Sequence, residues 1–177
     1  DAYGKLRIKP SIAPDSQMGP LIDKPNQARV LALIEGAEAQ GQVLLRGDAR
    51  AGEYPEGCFV SPTLVAMDDV SKPLIQEEVF GPILTLERFG TEDEAVARAN
   101  ATRYGLAASL WTNNLNRSMR IARRVRSGTV WLNSHGRLIA EAETGGYGES
   151  GLGRLHGVEA LNDFLETKHV DLEAGAG

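Results

Sequence analysis

The single cysteine of the chain is the first residue that could carry chemistry. Cys58 lies in the stretch PEGCFVSP, residues 55–62. A lone cysteine can be a catalytic nucleophile, or it can be a small apolar residue that fills a core. One cysteine excludes an intramolecular disulfide and a multi-cysteine metal site. The sequence around Cys58 leaves both roles open.

The three histidines are His135, His156 and His169, and none has the spacing of a metal-binding pair. Taken singly, such residues are more often at the surface or hydrogen-bonded than catalytic. A Cys/His hydrolase would need Cys58 within about 4 Å of a histidine in the folded chain.

A glycine-rich loop at residues 133–153 contains the pattern G-x-G-x-x-G at Gly146, Gly148 and Gly151. Glu166 even lies about twenty residues beyond the first glycine, where a dinucleotide fold places its ribose-binding acid. That fingerprint requires an apolar strand directly before the glycines, whereas the preceding residues read AEAET. We therefore predict that these glycines form turns where the loop passes close to other backbone.

The segment QEEVFGP, residues 76–82, combines two carboxylates, an aromatic ring and a Gly-Pro turn. A carboxylate can accept two hydrogen bonds from adjacent hydroxyls of a sugar, which suits a ribose. In an extended chain, Glu78 and Phe80 would project to the same side, so that the Phe80 side chain could pack against a ring of a ligand. The alternative, which the spacing alone favours, is that the acids are solvated and Phe80 belongs to the core.

The composition sets the class of protein. The chain has 177 residues, is 42% hydrophobic and 24% charged, and carries a net charge of −5. These values predict one globular domain and argue against a nucleic-acid partner or an anionic membrane. No apolar run approaches the length of a membrane span, and the N-terminus lacks a signal-peptide core, so we expect a cytoplasmic location. Because the chain starts at Asp1, we expect a trimmed or excised piece of a longer protein.

The elements that would position these residues follow from periodicity and turn signals. A helix is expected after Asp23, with apolar residues at helical spacing from Val30 to Ala37. Strand and helix then alternate with short connections, which predicts right-handed crossovers. The fold class is therefore α/β, a three-layer, mostly parallel sheet with helices on both faces. The further predicted strands are 43–45, 59–65, 83–89, 107–111, 129–132 and 167–172, and the further helices 91–99, 115–125 and 158–165.

Several motifs together resemble one family. The stretch EEVFGPIL, residues 77–84, resembles a signature of the aldehyde dehydrogenase superfamily. Further stretches resemble the motifs of that family in the same order and spacing, from about residue 15 to residue 170. They are DSQMGPLIDKPNQARV (15–30), EGCFVSPTLV (56–65), ANATRYGLAASLWT (99–112), SGTVWLN (127–133) and GGYGESGLGR (145–154).

The resemblance implies a reaction. In this family a cysteine thiolate attacks an aldehyde, hydride passes to NAD or NADP, and a glutamate-activated water hydrolyses the thioester. By resemblance, Glu78 would bind the nicotinamide-side ribose and Phe80 would pack beside the nicotinamide. Asn133 would help to order the catalytic loop. His135 and Thr144 belong to the loop 134–144, which would line the substrate entrance.

The resemblance also implies which parts are absent. The nucleophile, the water-activating glutamate and the oxyanion-hole asparagine of the family lie upstream of the region matched here. Cys58 stands where relatives have an aromatic residue, so no catalytic residue is predicted in this chain, nor a metal site. Residues 1–165 would be the C-terminal portion of the catalytic domain, and 166–177 an oligomerisation strand and tail. We expect NAD or NADP in the full-length enzyme and no cofactor bound to the isolated chain.

The chain departs from the family pattern at three places. Gly148 follows Gly145-Gly146-Tyr147, where the family often has a lysine. Glu143-Thr144 replaces a frequent Pro-Phe before the paired glycines. Leu155-His156 follows Arg154 where many members carry a glutamate that is implicated in proton movement. An aromatic side chain that often shapes the substrate pocket is thus lost, and any relay through that glutamate is in doubt.

Three hypotheses follow. The first is a fragment of an NAD(P)-dependent aldehyde dehydrogenase, inactive alone and acting on a small aldehyde only as part of the full enzyme. The second is a non-enzymatic binding or oligomerisation module derived from that family. The third is the small Cys/His hydrolase. For the first two we expect a homo-oligomer, because large exposed apolar surfaces rarely persist in monomers.

Overall fold

The computed structural model describes residues 2–49 and 54–175, which divide into two compact units, Asp1–Thr91 and Glu92–Gly177. The first unit contains α1 (Lys24–Glu35), β1 (Gln42–Leu45), β2 (Thr63–Met67), α2 (Pro73–Gln76) and β3 (Ile83–Glu87). The second contains α3 (Glu92–Ala99), β4 (Tyr104–Gly105), β5 (Ala107–Leu110), α4 (Leu115–Ala122), β6 (Thr129–Leu132) and β7 (Tyr147–Gly148). Short 3-10 helices span Tyr3–Lys5, Gly36–Ala39 and Glu159–Phe164.

The start of α1 follows from its sequence, as predicted. The Asp23 carboxylate accepts a hydrogen bond from the backbone N–H of Asn26 at 2.8 Å, which satisfies one free donor of the first turn. Pro25 lies within that turn, where its missing N–H is harmless. Val30 and Ile34 lie one turn apart and are buried, so α1 presents a single apolar stripe.

The stripe of α1 packs on a three-stranded sheet of order β1-β2-β3. β2 pairs in parallel with β3 and antiparallel with β1. Alternate residues of β2 point toward the helical layer and are fully buried, namely Thr63, Val65 and Met67. The core of this unit therefore lies on one face of its sheet.

The second unit is built on the parallel pair of β5 and β6, in register from Ala107↔Thr129 to Leu110↔Leu132. The helices α3 and α4 are joined by ion pairs. Glu92 of α3 accepts hydrogen bonds from Arg117 and Arg120 of α4, and Asp93 accepts one from Arg124. Arg117 and Arg120 thus lie on a solvated face of α4.

Comparison with the sequence predictions confirms the α/β class and corrects three details. In the described residues, the two parallel pairs form separate sheets rather than one, because β3 bonds to β2 while β5 bonds to β6. The last helix is a 3-10 helix over Glu159–Phe164. Residues 167–172 are not a strand, since a strand requires a neighbouring strand to share its ladder and none is paired with them in the described chain. No helix of the described residues is long and apolar enough to cross a membrane.

Candidate functional site

The predicted cofactor segment leaves α2 and projects two side chains into solvent. Glu78 is exposed, and Phe80 is 73% exposed. Between them, Val79 packs against both buried clusters of the first unit. Gly81 lies against Val30 so closely that a Cβ atom there would come within 2.7 Å of a Val30 methyl group. Alternate residues thus anchor the segment and leave Glu78 and Phe80 free to meet a ligand.

Two polar residues of α1 hold the backbone of this segment. The Arg29 guanidinium donates to the carbonyl of Val79, and the Asn26 side-chain amide donates to the carbonyl of Phe80 at 3.4 Å. The Asn26 side-chain oxygen in turn accepts from Arg29 at 2.7 Å. Sequence reasoning missed both residues, although their spacing of three along a helix places them on one face.

The conformation of Phe80 corrects two expectations. Its backbone has φ 49°, in the left-handed region, so the argument that an extended chain sends Glu78 and Phe80 to one side is wrong. The alternative that Phe80 is a core residue is also wrong, since its ring is exposed. A bulky residue in this region costs on the order of 1–3 kcal/mol and is typical of functional sites.

In the second unit, Asn133 extends the parallel pair beyond its last residue. Its backbone N–H donates to the carbonyl of Leu110 at 2.8 Å. Its side-chain oxygen accepts from the N–H of Thr112 at 2.9 Å, and its side-chain N–H donates to the Thr112 carbonyl at 3.0 Å. The side-chain amide of Asn133 therefore pairs with the backbone of Thr112 as a backbone amide group would. This pairing fixes where the following loop leaves the sheet.

His135 lies at the start of that loop and is held by the same strands. Its Nδ1 atom is 2.9 Å from the hydroxyl of Ser109 in β5, and its ring meets Trp131 of β6 edge-on at 5.1 Å. The indole N–H of Trp131 donates to the carbonyl of Arg137 at 2.8 Å. Asn133 and His135 are thus both held against β5 and the residues that directly follow it.

Thr144 closes the other end of the loop against the segment that follows the glycines. Thr144 and Leu155 exchange two backbone hydrogen bonds of 2.7 Å, and the Thr144 hydroxyl is 3.1 Å from Nδ1 of His156. Glu143 accepts from the N–H of Val158 at 3.2 Å. Backbone N–H groups, first that of Glu143 itself, lower the pKa of its carboxyl below the ordinary value. Two of the departures from the family pattern, Glu143-Thr144 and Leu155-His156, are therefore in direct contact with each other.

Cys58 lies in the first unit, in the loop between β1 and β2. It is half-buried, and its carbonyl accepts from the N–H of Leu21 at 2.9 Å. The Nδ1 atoms of His135 and His156 face the hydroxyl groups of Ser109 and Thr144 in the second unit. Across residues 2–49 and 54–175, no three His, Cys, Asp or Glu side chains come together as metal ligands.

The glycine loop has the role that its sequence context predicts. A Cβ atom on Gly146 would come within 2.7 Å of Ser150, and Gly148 has φ 57°. A Cβ atom on Gly128 would overlap the carbonyl oxygen of Gly145. These glycines allow the loop to pass against β4 and the turn before β6, and they do not open a helix as a pyrophosphate loop does.

The chain is similar over most of its length to known proteins of one family. The sequence model of the Aldehyde dehydrogenase family matches residues 1–170. A betaine aldehyde dehydrogenase of Vibrio vulnificus is 39% identical over 174 residues, which covers 97% of this chain and 36% of the relative. The crystal structure of a betaine aldehyde dehydrogenase from Staphylococcus aureus in complex with NAD+ has 31% identity and a TM-score of 0.90 over 100% of this chain and 37% of that one. An aldehyde dehydrogenase of Mycobacterium tuberculosis complexed with NAD+ has 34% identity and a TM-score of 0.88, covering 99% and 36%.

The chain thus spans about a third of the length of these relatives. The family match extends over nearly all of it and includes the segments that carry Glu78, Phe80, Asn133, His135 and Thr144. The chain belongs to the aldehyde dehydrogenase family.

Proposed function

We propose that this chain supplies the cofactor-facing and loop-supporting part of an NAD(P)-dependent aldehyde dehydrogenase. The observation that carries the proposal is the exposed pair of Glu78 and Phe80 on a segment whose own backbone is clamped to α1. A carboxylate held on a rigid support can accept from two ribose hydroxyls without ordering a loop first. The Phe80 ring, already exposed, offers a flat apolar surface to the nicotinamide.

In the proposed enzyme, hydride passes from the substrate to NAD or NADP, and this chain contributes positioning rather than bond breaking. Asn133 sets the exit of the loop from the sheet, while His135 and Thr144 hold its two ends. Substrate would enter along this loop, whose wall in this chain is polar at Thr144 and His156. The nucleophile and the general base would come from the part of the family chain that has no match here.

The isolated 177-residue chain is accordingly proposed to be inactive. It should oxidise neither betaine aldehyde nor a simple aliphatic aldehyde with NAD+ or NADP+, and Cys58→Ser should change nothing. Turnover that is abolished by Cys58→Ser would overturn this part of the proposal.

The cofactor role is tested in a chimaera in which this chain replaces the matching 174 residues of the Vibrio relative. Glu78→Gln should raise the KM for NAD+ by roughly tenfold or more, since it removes a charge-assisted hydrogen bond. The neighbouring carboxylate provides the control, and Glu77→Gln should leave the KM within about twofold. Equal effects of the two substitutions would refute a specific ribose contact.

The second candidate is an assembly module, and one observation favours it. In the described part of the tail, Val170 and Leu172 are 79% and 88% exposed. Alternate apolar residues in an extended segment suit addition to the edge of a sheet. We propose that residues 166–177 mediate formation of a homo-oligomer. Sedimentation velocity tests this, because Val170→Asp with Leu172→Asp should shift an oligomer toward monomer.

A further inference from the structure

The far end of the loop at residues 134–144 is fastened to a later stretch of the second unit. We call the two stretches that meet there, residues 140–144 and 155–159, the clamp. Backbone hydrogen bonds join them at both ends: the N–H of Gly157 donates to the carbonyl of Ala140 at 3.0 Å, and an antiparallel bridge closes the other end. The clamp therefore fixes where the loop lies relative to the segment that follows the glycines.

Between these two ends, the carboxylate of Glu143 crosses from one stretch to the other. It accepts from the N–H of Val158 at 3.2 Å and also bonds to the backbone N–H of Glu159. These residues begin the 3-10 helix Glu159–Phe164, and the first N–H groups of a helix have no acceptor within it. A hydrogen bond to a carboxylate is also roughly twice as strong as one between neutral groups. Glu143 thus joins the loop to the start of this helix.

The backbone opposite Glu143 leaves room for its carboxylate. Gly157 has φ 60°, and a Cβ atom there would overlap the carboxyl group of Glu143. The preceding residue, His156, also has positive φ, at 63°. A conformation of this kind persists only where neighbouring contacts fix it. The turn at these two residues is therefore shaped around the carboxylate.

The contact depends on positions that depart from the family pattern. A proline, which is frequent in the family at position 143, has no side-chain acceptor and could not bond to Val158. On the other side of the clamp, His156 meets the hydroxyl of Thr144 at 3.1 Å. The departures on the two stretches supply partners for each other, so this contact is a feature of this chain rather than of the family pattern.

We infer that Glu143 is a positioning residue of the substrate entrance, whose carboxylate sets the affinity for the aldehyde by holding the loop in the clamp. This inference rests on the proposed function, which makes that loop a wall of the entrance. The other titratable residues of the clamp are Glu141, His156 and Glu159. Backbone N–H groups, first its own, lower the pKa of the Glu143 carboxyl. The contact is therefore present at neutral pH and is lost as the pH falls through that lowered pKa.

Hydrogen exchange of the Gly157 amide, followed by NMR in this chain, reports on the clamp without any turnover. Glu143→Ala should raise the exchange rate by about fivefold or more, because a charge-assisted hydrogen bond is lost. Glu143→Gln keeps a side-chain acceptor and should restore most of the protection. Glu141→Ala is the matched control, since Glu141 is exposed in the same stretch. It should leave the rate within about twofold, as surface substitutions do.

Gly157→Ala perturbs the same contact from the other side and leaves Glu143 unchanged. The new Cβ atom should displace the carboxylate, so the Val158 amide should exchange faster. In the Glu143→Ala background there is no carboxylate to displace, and Gly157→Ala should have a smaller effect. Equal effects in the two backgrounds would contradict the inference. Circular dichroism of each variant verifies that it folds.

The functional test uses the chimaera with the Vibrio relative. Glu143→Ala should raise the KM for betaine aldehyde by about fivefold or more, because a displaced loop misplaces the substrate. The KM for NAD+ should stay within about twofold, since the substitution lies outside the cofactor segment. Glu143→Gln should recover most of the affinity for the aldehyde.

The outcomes separate this inference from the proposed function. A chimaera that oxidises no aldehyde before any substitution would contradict the proposed function and the inference with it. An active chimaera whose KM for the aldehyde is unmoved by Glu143→Ala would overturn the inference alone. Unchanged exchange at Gly157 in Glu143→Ala would do the same, and so would an equal rise in the KM values for aldehyde and NAD+.

Discussion

Asn133 offers the sharpest test of how the second unit is held together. Its side chain makes two hydrogen bonds to the backbone of one residue: it accepts from the N–H of Thr112 and donates to the carbonyl of Thr112. Each bond should contribute about 0.5–1.5 kcal/mol. Its backbone has φ 51°, a region that asparagine and glycine tolerate better than alanine. Loss of the side chain and strain in the backbone can therefore be separated by substitution.

Asn133→Gly should cost about 1–2 kcal/mol, since it removes both hydrogen bonds but relieves the backbone. Asn133→Ala should be no more stable than Asn133→Gly, because a residue with a Cβ atom is strained at positive φ. At positions without such strain, alanine ordinarily gives a more stable protein than glycine. Asn133→Asp keeps the acceptor for the Thr112 N–H and replaces the donor by a carboxylate. It should lose about 1 kcal/mol at neutral pH and recover part of that below about pH 4, where the protonated carboxyl can donate again.

The assay is urea unfolding followed by tryptophan fluorescence. Both tryptophans of the chain lie in the second unit, so the signal reports on this unit. Trp131 is two residues before Asn133, and Trp111 directly follows β5. Hydrogen exchange at the Thr112 amide should accelerate in Asn133→Gly. Unchanged exchange there, or an Asn133→Ala variant clearly more stable than Asn133→Gly, would refute the reasoning.

Three further predictions concern both units. Glu92→Gln should destabilise the second unit at neutral pH. Hydrogen bonds, first from Arg120, lower the pKa of the Glu92 carboxyl in the folded chain. The stability that Glu92 contributes is therefore present above the pKa of the unfolded chain, and it is lost as the pH falls through the pKa of the folded chain. Thermal midpoints of the parent and of Glu92→Gln should therefore converge in acid, and a constant gap would contradict this. Gly128→Ala should lower the free energy of unfolding in urea by about 1–3 kcal/mol, because the new Cβ atom would meet a backbone carbonyl. Gly36→Ala is the control, since a Cβ atom there meets nothing within 4 Å, and it should be neutral or slightly stabilising. Phe80→Gly should stabilise the first unit by about 1 kcal/mol, measured by circular dichroism in urea, and a loss of stability would mean that its ring has a packing role.

The regular elements could be predicted because their signals are local. Asp23 and Pro25 indicate the start of α1, and alternation in residues 83–87 indicates β3. The arrangement of the strands was harder to predict. That β1 runs antiparallel to β2, and that β3 does not pair with β5, depends on long-range partners that no local pattern encodes. The strand expected at 167–172 failed for the same reason, because alternation can identify a strand but cannot supply its neighbour.

The candidate site was predictable in residue type and not in geometry. Resemblance pointed to Phe80, whereas spacing alone favoured a core position for it. Only the backbone, at positive φ and clamped by Asn26 and Arg29, explains why an apolar ring stays in solvent. The contact of Thr144 with His156 was likewise invisible, since twelve residues separate them and the hydrogen bond depends on a turn of glycines between them.

The residues with assigned roles have strained backbone in common more than they have similar side chains. Among the described residues, only three other than glycine have positive φ, namely Phe80, Asn133 and His156. Two of them were assigned roles by resemblance, and the third is the partner of Thr144, which was assigned a role as well. Each is fixed by neighbouring contacts: the carbonyl of Phe80 by Asn26, the amide of Asn133 by Thr112, and the ring of His156 by Thr144. Backbone strain persists only where several surrounding contacts fix the residue in place. It is concentrated at sites where a side chain must be exposed to a ligand rather than packed in the core. Glycine should therefore stabilise the fold at Phe80, whose exposed ring is presented rather than packed, whereas at Asn133 the loss of two hydrogen bonds to Thr112 outweighs the relief of strain.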